Sequence, residues 1–173
     1  MCTTCKHPNF VQLKDCAVSG TAPDTGWATN LAFGDLVGKT CLHVEVGDDF
    51  VAFVFLDGTI AKMHHVEDCC ESVTVEDVNG DVADLIGVPL LVCDERTDSK
   101  EGGDYESATW TFYTLRTIRG SVDIRWLGVS NGYYSESVDL WSAQPNVPLS
   151  AHTKMALLRE AMETTEDGPS GPS

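Results

Sequence analysis

The chain has 173 residues, with 27 acidic against 11 basic side chains and a formal charge of −16. That balance argues against a nucleic-acid partner, because displacing phosphate counterions needs a basic footprint; it leaves room for a basic partner, a divalent cation, mimicry of nucleic-acid charge, or plain solubility as the simplest account. The length suits one domain with a core of its own, no run approaches the ~20 apolar residues that span a bilayer, and nothing at the start reads as a secretory signal.

Residues 1–30 read as a separate Cys-containing N-terminal segment, with little hydrophobic periodicity before Leu31. Cys2 and Cys5 form a Cys-x-x-Cys pair, which lets two thiolates from one turn meet a tetrahedral ion, and His7 or Cys16 supplies further ligands. Zinc is therefore one expectation here, and a leader with incidental cysteines is the other. Seven cysteines, an odd number, exclude a complete intrachain disulfide framework. Reduced thiols and a cytoplasmic location follow as the default.

A β-rich core domain is expected over 31–149. Asp35 to Gly38 reads as the end of a short helix or turn, with Gly38 left-handed. A strand follows near Thr40 to Val46. Phe50 to Leu56 (FVAFVFL) is apolar on both faces and reads as a central, doubly covered strand. Asp57-Gly58 is a hairpin signal, and Thr59 to His64 is the returning strand. Ser72 to Val78 is a further strand, with Val73, Val75 and Asp77 on one face. Asn79-Gly80 turns the chain into a short helix, Asp81 to Ile86, capped by Asp81 and ended by Gly87. Val88 to Cys93 reads as a buried strand, and Asp94 to Glu106 as a solvated loop. Ala108 to Ile118 and Ser121 to Val129 form a hairpin across Arg119-Gly120, with Trp110 and Phe112 on one face and Val122, Ile124 and Trp126 on another. Tyr133 to Trp141 is the last strand. Residues 150–166 read as a C-terminal helix, with Met155, Leu158 and Met162 as its apolar stripe and Leu157 and Ala161 beside it. Residues 167–173 read as a disordered tail.

Two stretches echo each other. Asp35-Leu36-Val37-Gly38 and Asp84-Leu85-Ile86-Gly87 each precede a strand, and each half later carries Glu-Ser-Val, at Glu71 and at Glu136. The fold expected is therefore α+β, mostly antiparallel β-sheet, with short helices and a C-terminal helix, and arranged as two pseudo-repeated units; chance similarity is the rival account. A pseudo-twofold would gather His64, His65, Cys69, Cys70 and Glu71 near Tyr133, Tyr134, Ser135 and Glu136. His64, His65, Asp68, Glu71, Arg125, Tyr133, Tyr134 and Glu136 are accordingly the candidate ligand-binding residues.

His64 to Gly87 holds two histidines, two adjacent cysteines and seven acidic residues. Imidazole, thiolate and carboxylate suit zinc, which makes Cys69 and Cys70 candidate metal ligands, although adjacent cysteines seldom share one ion. A nucleophilic cysteine is disfavoured, since Glu67, Asp68 and Glu71 would raise its pKa. The structural alternative is ordinary packing and turn capping. Asp77, Asn79, Asp81 and Asp84 begin like an EF-hand loop but lack its Gly and its Glu. Arg125 and Asp123 share the face opposite Ile124, so a cross-strand ion pair is the plain explanation there, and Arg125 as the anchor of an anionic ligand with Tyr113, Tyr133 or Trp126 is the other.

The stretch HHVEDCCESVTVEDVNGDVADLIG resembles the central signature of a bacteriophage and bacterial domain of unknown function. Thr109 to Tyr113 and Ile124 to Asp139 fit the same pattern, over about Asp35 to Leu140. The resemblance implies a phage or actinobacterial setting and no activity. The function expected is a phage-type accessory protein that binds a protein or small ligand without catalysis, in the host cytoplasm if phage-encoded. A zinc domain or metal-dependent enzyme, and a virion structural component, are the alternatives.

Overall fold

The computed structural model describes residues 31–101, 107–144 and 149–166. Alternating side chains and glycine turns build two antiparallel meanders. The first follows a 3-10 turn, Phe33–Leu36, and comprises β1 (Cys41–Val46), β2 (Phe50–Phe55) and β3 (Ile60–His64). The second follows a 3-10 turn, Val82–Leu85, and comprises β5 (Val92–Glu101), β6 (Ser107–Arg116) and β7 (Ser121–Ser130). Between them runs β4 (Glu71–Asn79); after them come β8 (Asp139–Ala143) and the helix α1 (Ala151–Glu166). Each meander takes its fourth strand from the other half, giving sheet orders β1-β2-β3-β8 and β4-β7-β6-β5.

Local chemistry sets these boundaries. Gly58 (φ 87°) turns β2 into β3. There Asp57 accepts the Thr59 N–H at 2.8 Å and the Lys39 ammonium at 2.5 Å. Burial works to raise the Asp57 carboxyl, but those donors outweigh it and hold the pKa below the ordinary range. Asp81 caps the second 3-10 turn by accepting the Ala83 N–H at 2.9 Å. The two halves meet where Thr40 bridges Pro89; Gly38 N–H donates to Leu90 O and Gly87 N–H to Cys41 O, each at 2.8 Å.

One continuous core joins both sheets, and the side chains of Phe53, Phe55, Leu36, Leu85, Leu115, Ile124 and Trp126 are fully buried in it. Each such large apolar side chain contributes about 1.5–3 kcal/mol on burial. Strand β2 is buried on both faces from Val51 to Phe55, as its unbroken apolar run requires.

Several boundaries and faces differ from expectation. The solvated loop expected at Asp94 to Glu106 is strand as far as Glu101, paired residue by residue with β6. It is an edge strand, so main-chain hydrogen bonds hold it while polar side chains occupy both faces. The buried strand expected at Val88 to Cys93 is buried only at Leu90 and Cys93, with Leu91 exposed, and β5 itself begins at Val92. The strand expected from Tyr133 starts only at Asp139; residues 131–138 are irregular connection. In β4 the register steps from Val75↔Trp126 to Asp77↔Arg125, so Glu76 is a bulged extra residue. That bulge turns Val78 toward the core and leaves Asp77 exposed. Both short helices are single 3-10 turns. In α1 the buried residues are Leu157 and Ala161, while Met155 and Met162 are half exposed. The expected tail at 167–173 lies outside the described residues.

Candidate functional site: a hydroxyl-lined cleft

The inward face of the second sheet changes character along its strands. Near the β6–β7 turn it presents Leu115, Tyr113, Val122, Ile124 and Trp126, all buried. Toward the other end the inward residues are Thr97 and Ser99 on β5, and Thr111, Thr109 and Ser107 on β6. Hydroxyls cannot join an apolar core without partners, and here they line an open cleft of about 320 Å3.

The connection 131–138 forms the opposite wall with Tyr134, Ser135, Glu136, Ser137 and Val138. Gly128 makes this approach possible. A Cβ there would lie 2.6 Å from Glu136 O and 2.7 Å from Glu136 Cβ, so only glycine lets the backbone come so near.

Glu136 ties the wall to the sheet. Its Oε1 accepts the Ser130 hydroxyl and its Oε2 the Thr109 hydroxyl, each at 2.6 Å. Burial pushes the Glu136 carboxyl up, but these hydroxyl donors prevail and hold its pKa below the ordinary value. The second carboxylate of the cleft, Glu95, lies close enough to the Tyr113 phenol to act on it electrostatically. Burial, then the Glu95 charge, push that phenol far up, so it stays neutral. Among the described residues the lining thus carries two carboxylates, eight hydroxyl-bearing side chains and one valine, with no Lys, Arg or His.

A second cluster adjoins the cleft at Tyr134. The His65 and Glu71 side chains are 6% and 2% exposed. His65 Nδ1 lies 2.8 Å from Ser137 O and therefore carries its proton toward that carbonyl. His65 Nε2 is buried with no hydrogen-bond partner among the described residues; Glu71 Oε1 is 3.6 Å away. Glu71 instead accepts the Asp68 N–H at 2.5 Å and the Cys69 N–H at 3.2 Å, closing the 68–71 turn. Cys70 O accepts from Asn131 N–H at 3.3 Å. The Tyr134 phenol is pushed up, first by the neighbouring Cys69 charge.

Of the residues singled out in the sequence, the structure brings together His65, Asp68, Cys69, Cys70, Glu71, Tyr134 and Glu136. It places others apart. His64, the end of β3, stacks on Trp141 with ring centroids 5.8 Å apart. Tyr133 is 93% exposed. Arg125 makes a cross-strand ion pair with the bulged Glu76 of β4 at 2.6 Å, while its neighbour Asp123 accepts from Thr114 of β6. Strand alternation puts Arg125 on the face opposite Trp126, away from the cleft. Cys2, Cys5, His7 and Cys16 lie outside the described residues. Among the described residues no group of three or more His, Cys, Asp and Glu side chains is arranged to hold a metal ion, and no helix is long and apolar enough to cross a membrane.

The hydroxyl lining escaped the sequence reading. Its signal was Thr109 and Thr111 alternating with Trp110 and Phe112, and Thr97 and Ser99 alternating with Arg96 and Asp98. Trp110 and Phe112 dominate the β6 pattern, and the charges of β5 have the composition of a loop.

Fold and site together define a β-rich protein of two four-stranded antiparallel sheets with a polar cleft on one of them. Residues 34–140 match the domain of unknown function DUF7448, and the chain belongs to that family. No curated protein and no solved structure matches the chain.

Proposed function

We propose that the protein is a non-enzymatic binding protein whose cleft takes a small ligand bearing an amine or guanidinium group. The observation that carries this reading is the lining: two carboxylates and eight hydroxyls without a basic side chain. Such a surface accepts hydrogen bonds and favours positive charge, and it disfavours anions. Its volume of about 320 Å3 is at the small end for ligand pockets. Glu136 stays ionised because its hydroxyl partners favour the charged form, and the formal charge of −16 reinforces the field. A phage-type accessory role in a host cytoplasm is the setting in which such capture would operate. The test is a two-dimensional NMR titration with agmatine, spermidine, glucose and citrate. Agmatine or spermidine is expected to shift the amides of Thr97, Thr111, Tyr134 and Glu136, and citrate to leave them unmoved. Ser99→Phe, which fills the cleft from the edge strand, abolishes the shifts. Shifts that persist in Ser99→Phe, or that citrate reproduces, refute the reading.

We also infer that the two halves derive from one duplicated unit. Each runs 3-10 turn, left-handed glycine and three-stranded meander, then lends a strand to the other half. The contact Gly38 N–H to Leu90 O has its counterpart in Gly87 N–H to Cys41 O, since 87 − 38 and 90 − 41 are the same interval of 49 positions. An experimental structure is expected to superpose the meanders by a rotation near a half turn, with Thr40 and Pro89 astride the axis. Halves related by a simple translation would contradict this.

A further inference from the structure

Adjacent residues in extended chain point their side chains to opposite sides. Cys69 and Cys70 do not: their sulfurs lie 2.8 Å apart, and both residues are exposed. The cause is Cys70, the only non-glycine residue with positive φ among the described residues, at 61°. A side chain in that region is crowded against its own backbone, so surrounding contacts must hold it. They do so on both sides. Glu71 takes the N–H of Cys69, and Asn131 donates to Cys70 O.

We propose that Cys69 and Cys70 form a vicinal dithiol site that is oxidised reversibly to a Cys69–Cys70 disulfide by low-molecular-weight disulfides. The proposal does not depend on the cleft holding a ligand. In the first step the Cys69 thiolate attacks one sulfur of the small disulfide, forming a mixed disulfide and displacing one thiolate. In the second, deprotonated Cys70 attacks the Cys69 sulfur and displaces the other thiolate. Two protons leave the cysteines, two electrons pass to the small disulfide, and it ends as two thiols. The roles of the two sulfurs are interchangeable, because the 2.8 Å separation puts whichever thiol is still free within reach of the one held in the mixed disulfide. The other described cysteines, Cys41 and Cys93, are buried.

A vicinal disulfide closes a tight ring, because consecutive Cα atoms are about 3.8 Å apart, closer than in ordinary disulfides. Strain of that kind makes the bond easy to reduce, which suits a switch and not a staple. Tyr134, which neighbours Cys69, also lines the cleft, so the redox state of the pair is set beside that wall.

The test incubates the full, reduced chain with oxidised glutathione at neutral pH, then traps free thiols and maps peptides by mass spectrometry. The expected product is a peptide containing both Cys69 and Cys70 that has lost two hydrogen atoms and retains no glutathione, restored by mild reductant. Cys70→Ser should instead keep glutathione on Cys69. The wild-type chain should show at least about tenfold less of that adduct, since attack within the pair is intramolecular. Stable glutathione adducts on the wild-type pair, or disulfides joining Cys69 or Cys70 to other cysteines, would overturn the proposal.

Discussion

Replacing Gly128 by alanine should detach the wall of the cleft from its sheet. The new Cβ would stand 2.6 Å from Glu136 O, 2.7 Å from Glu136 Cβ and 3.1 Å from Glu136 Cα. Two of these three atoms are backbone, so no rotamer change relieves the clash. The connection must retreat by several tenths of an ångström or more, and overpacking of this kind costs about 1–3 kcal/mol. Retreat also stretches the bonds from Ser130 and Thr109 to Glu136; hydrogen bonds to a charged group are worth about 1.5–3 kcal/mol each. Because the connection can move outward into solvent, only part of that is lost, and the expected total is about 2–4 kcal/mol. Gly34→Ala is the control: its Cβ would meet only Cys93 O at 4.0 Å, and the change should stay within about 0.5 kcal/mol. Urea unfolding of both variants, with unchanged slope, reads the difference. A Gly128→Ala midpoint indistinguishable from that of Gly34→Ala would refute the close approach on which the cleft wall depends.

Other consequences can be checked alongside. Leu157→Ala should cost about 2–4 kcal/mol in urea unfolding and Met155→Ala under about 0.5, because only Leu157 enters the core. Glu71→Ala removes the acceptor for two backbone N–H groups and should cost about 1–2 kcal/mol, with faster amide exchange at Asp68 and Cys69. The Glu136 carboxyl titrates below its ordinary 4.5, so its contribution to stability is complete above that pH and is lost as pH falls through the lower, folded value. The stability gap between wild type and Glu136→Gln should therefore shrink between neutral pH and about pH 3. Burial pushes the Cys93 thiol up to about 12 and the Cys41 thiol higher still; peptide mapping after brief alkylation should find Cys69 and Cys70 modified, with Cys41 and Cys93 reacting only on unfolding.

Much of the sheet architecture was written in local chemistry. The apolar run Phe50 to Phe55, the Asp57-Gly58 and Arg119-Gly120 turns and the Asp81 cap each act over a few residues, and each sits where its residue types require. What failed depended on tertiary partners. Strand β5 carries Asp94, Glu95, Arg96, Asp98 and Lys100, which read as loop; its pairing with β6 supplies hydrogen bonds that no composition reveals. Tyr133 to Val138 looked like strand but serves as a wall, because Gly128 and the Glu136 hydroxyl cage hold it against the sheet. The buried stripe of α1 differs from expectation because Met155, Leu157, Leu158 and Met162 offer two apolar faces, and only packing chooses between them. The neighbourhood of His65, Cys69 and Glu71 with Tyr134 and Glu136 came from the echo between halves, whereas the cleft needed the inward direction of Thr97, Ser99, Thr109 and Thr111.

The most direct test of the binding account is the amide NMR spectrum of the full chain titrated with agmatine, run in parallel on Ser99→Phe. The account predicts saturable shifts confined to the amides of Thr97, Thr111, Tyr134 and Glu136 in the wild type and their loss in Ser99→Phe. A wild-type spectrum unmoved by agmatine and spermidine, or shifts unchanged by filling the cleft, would contradict it.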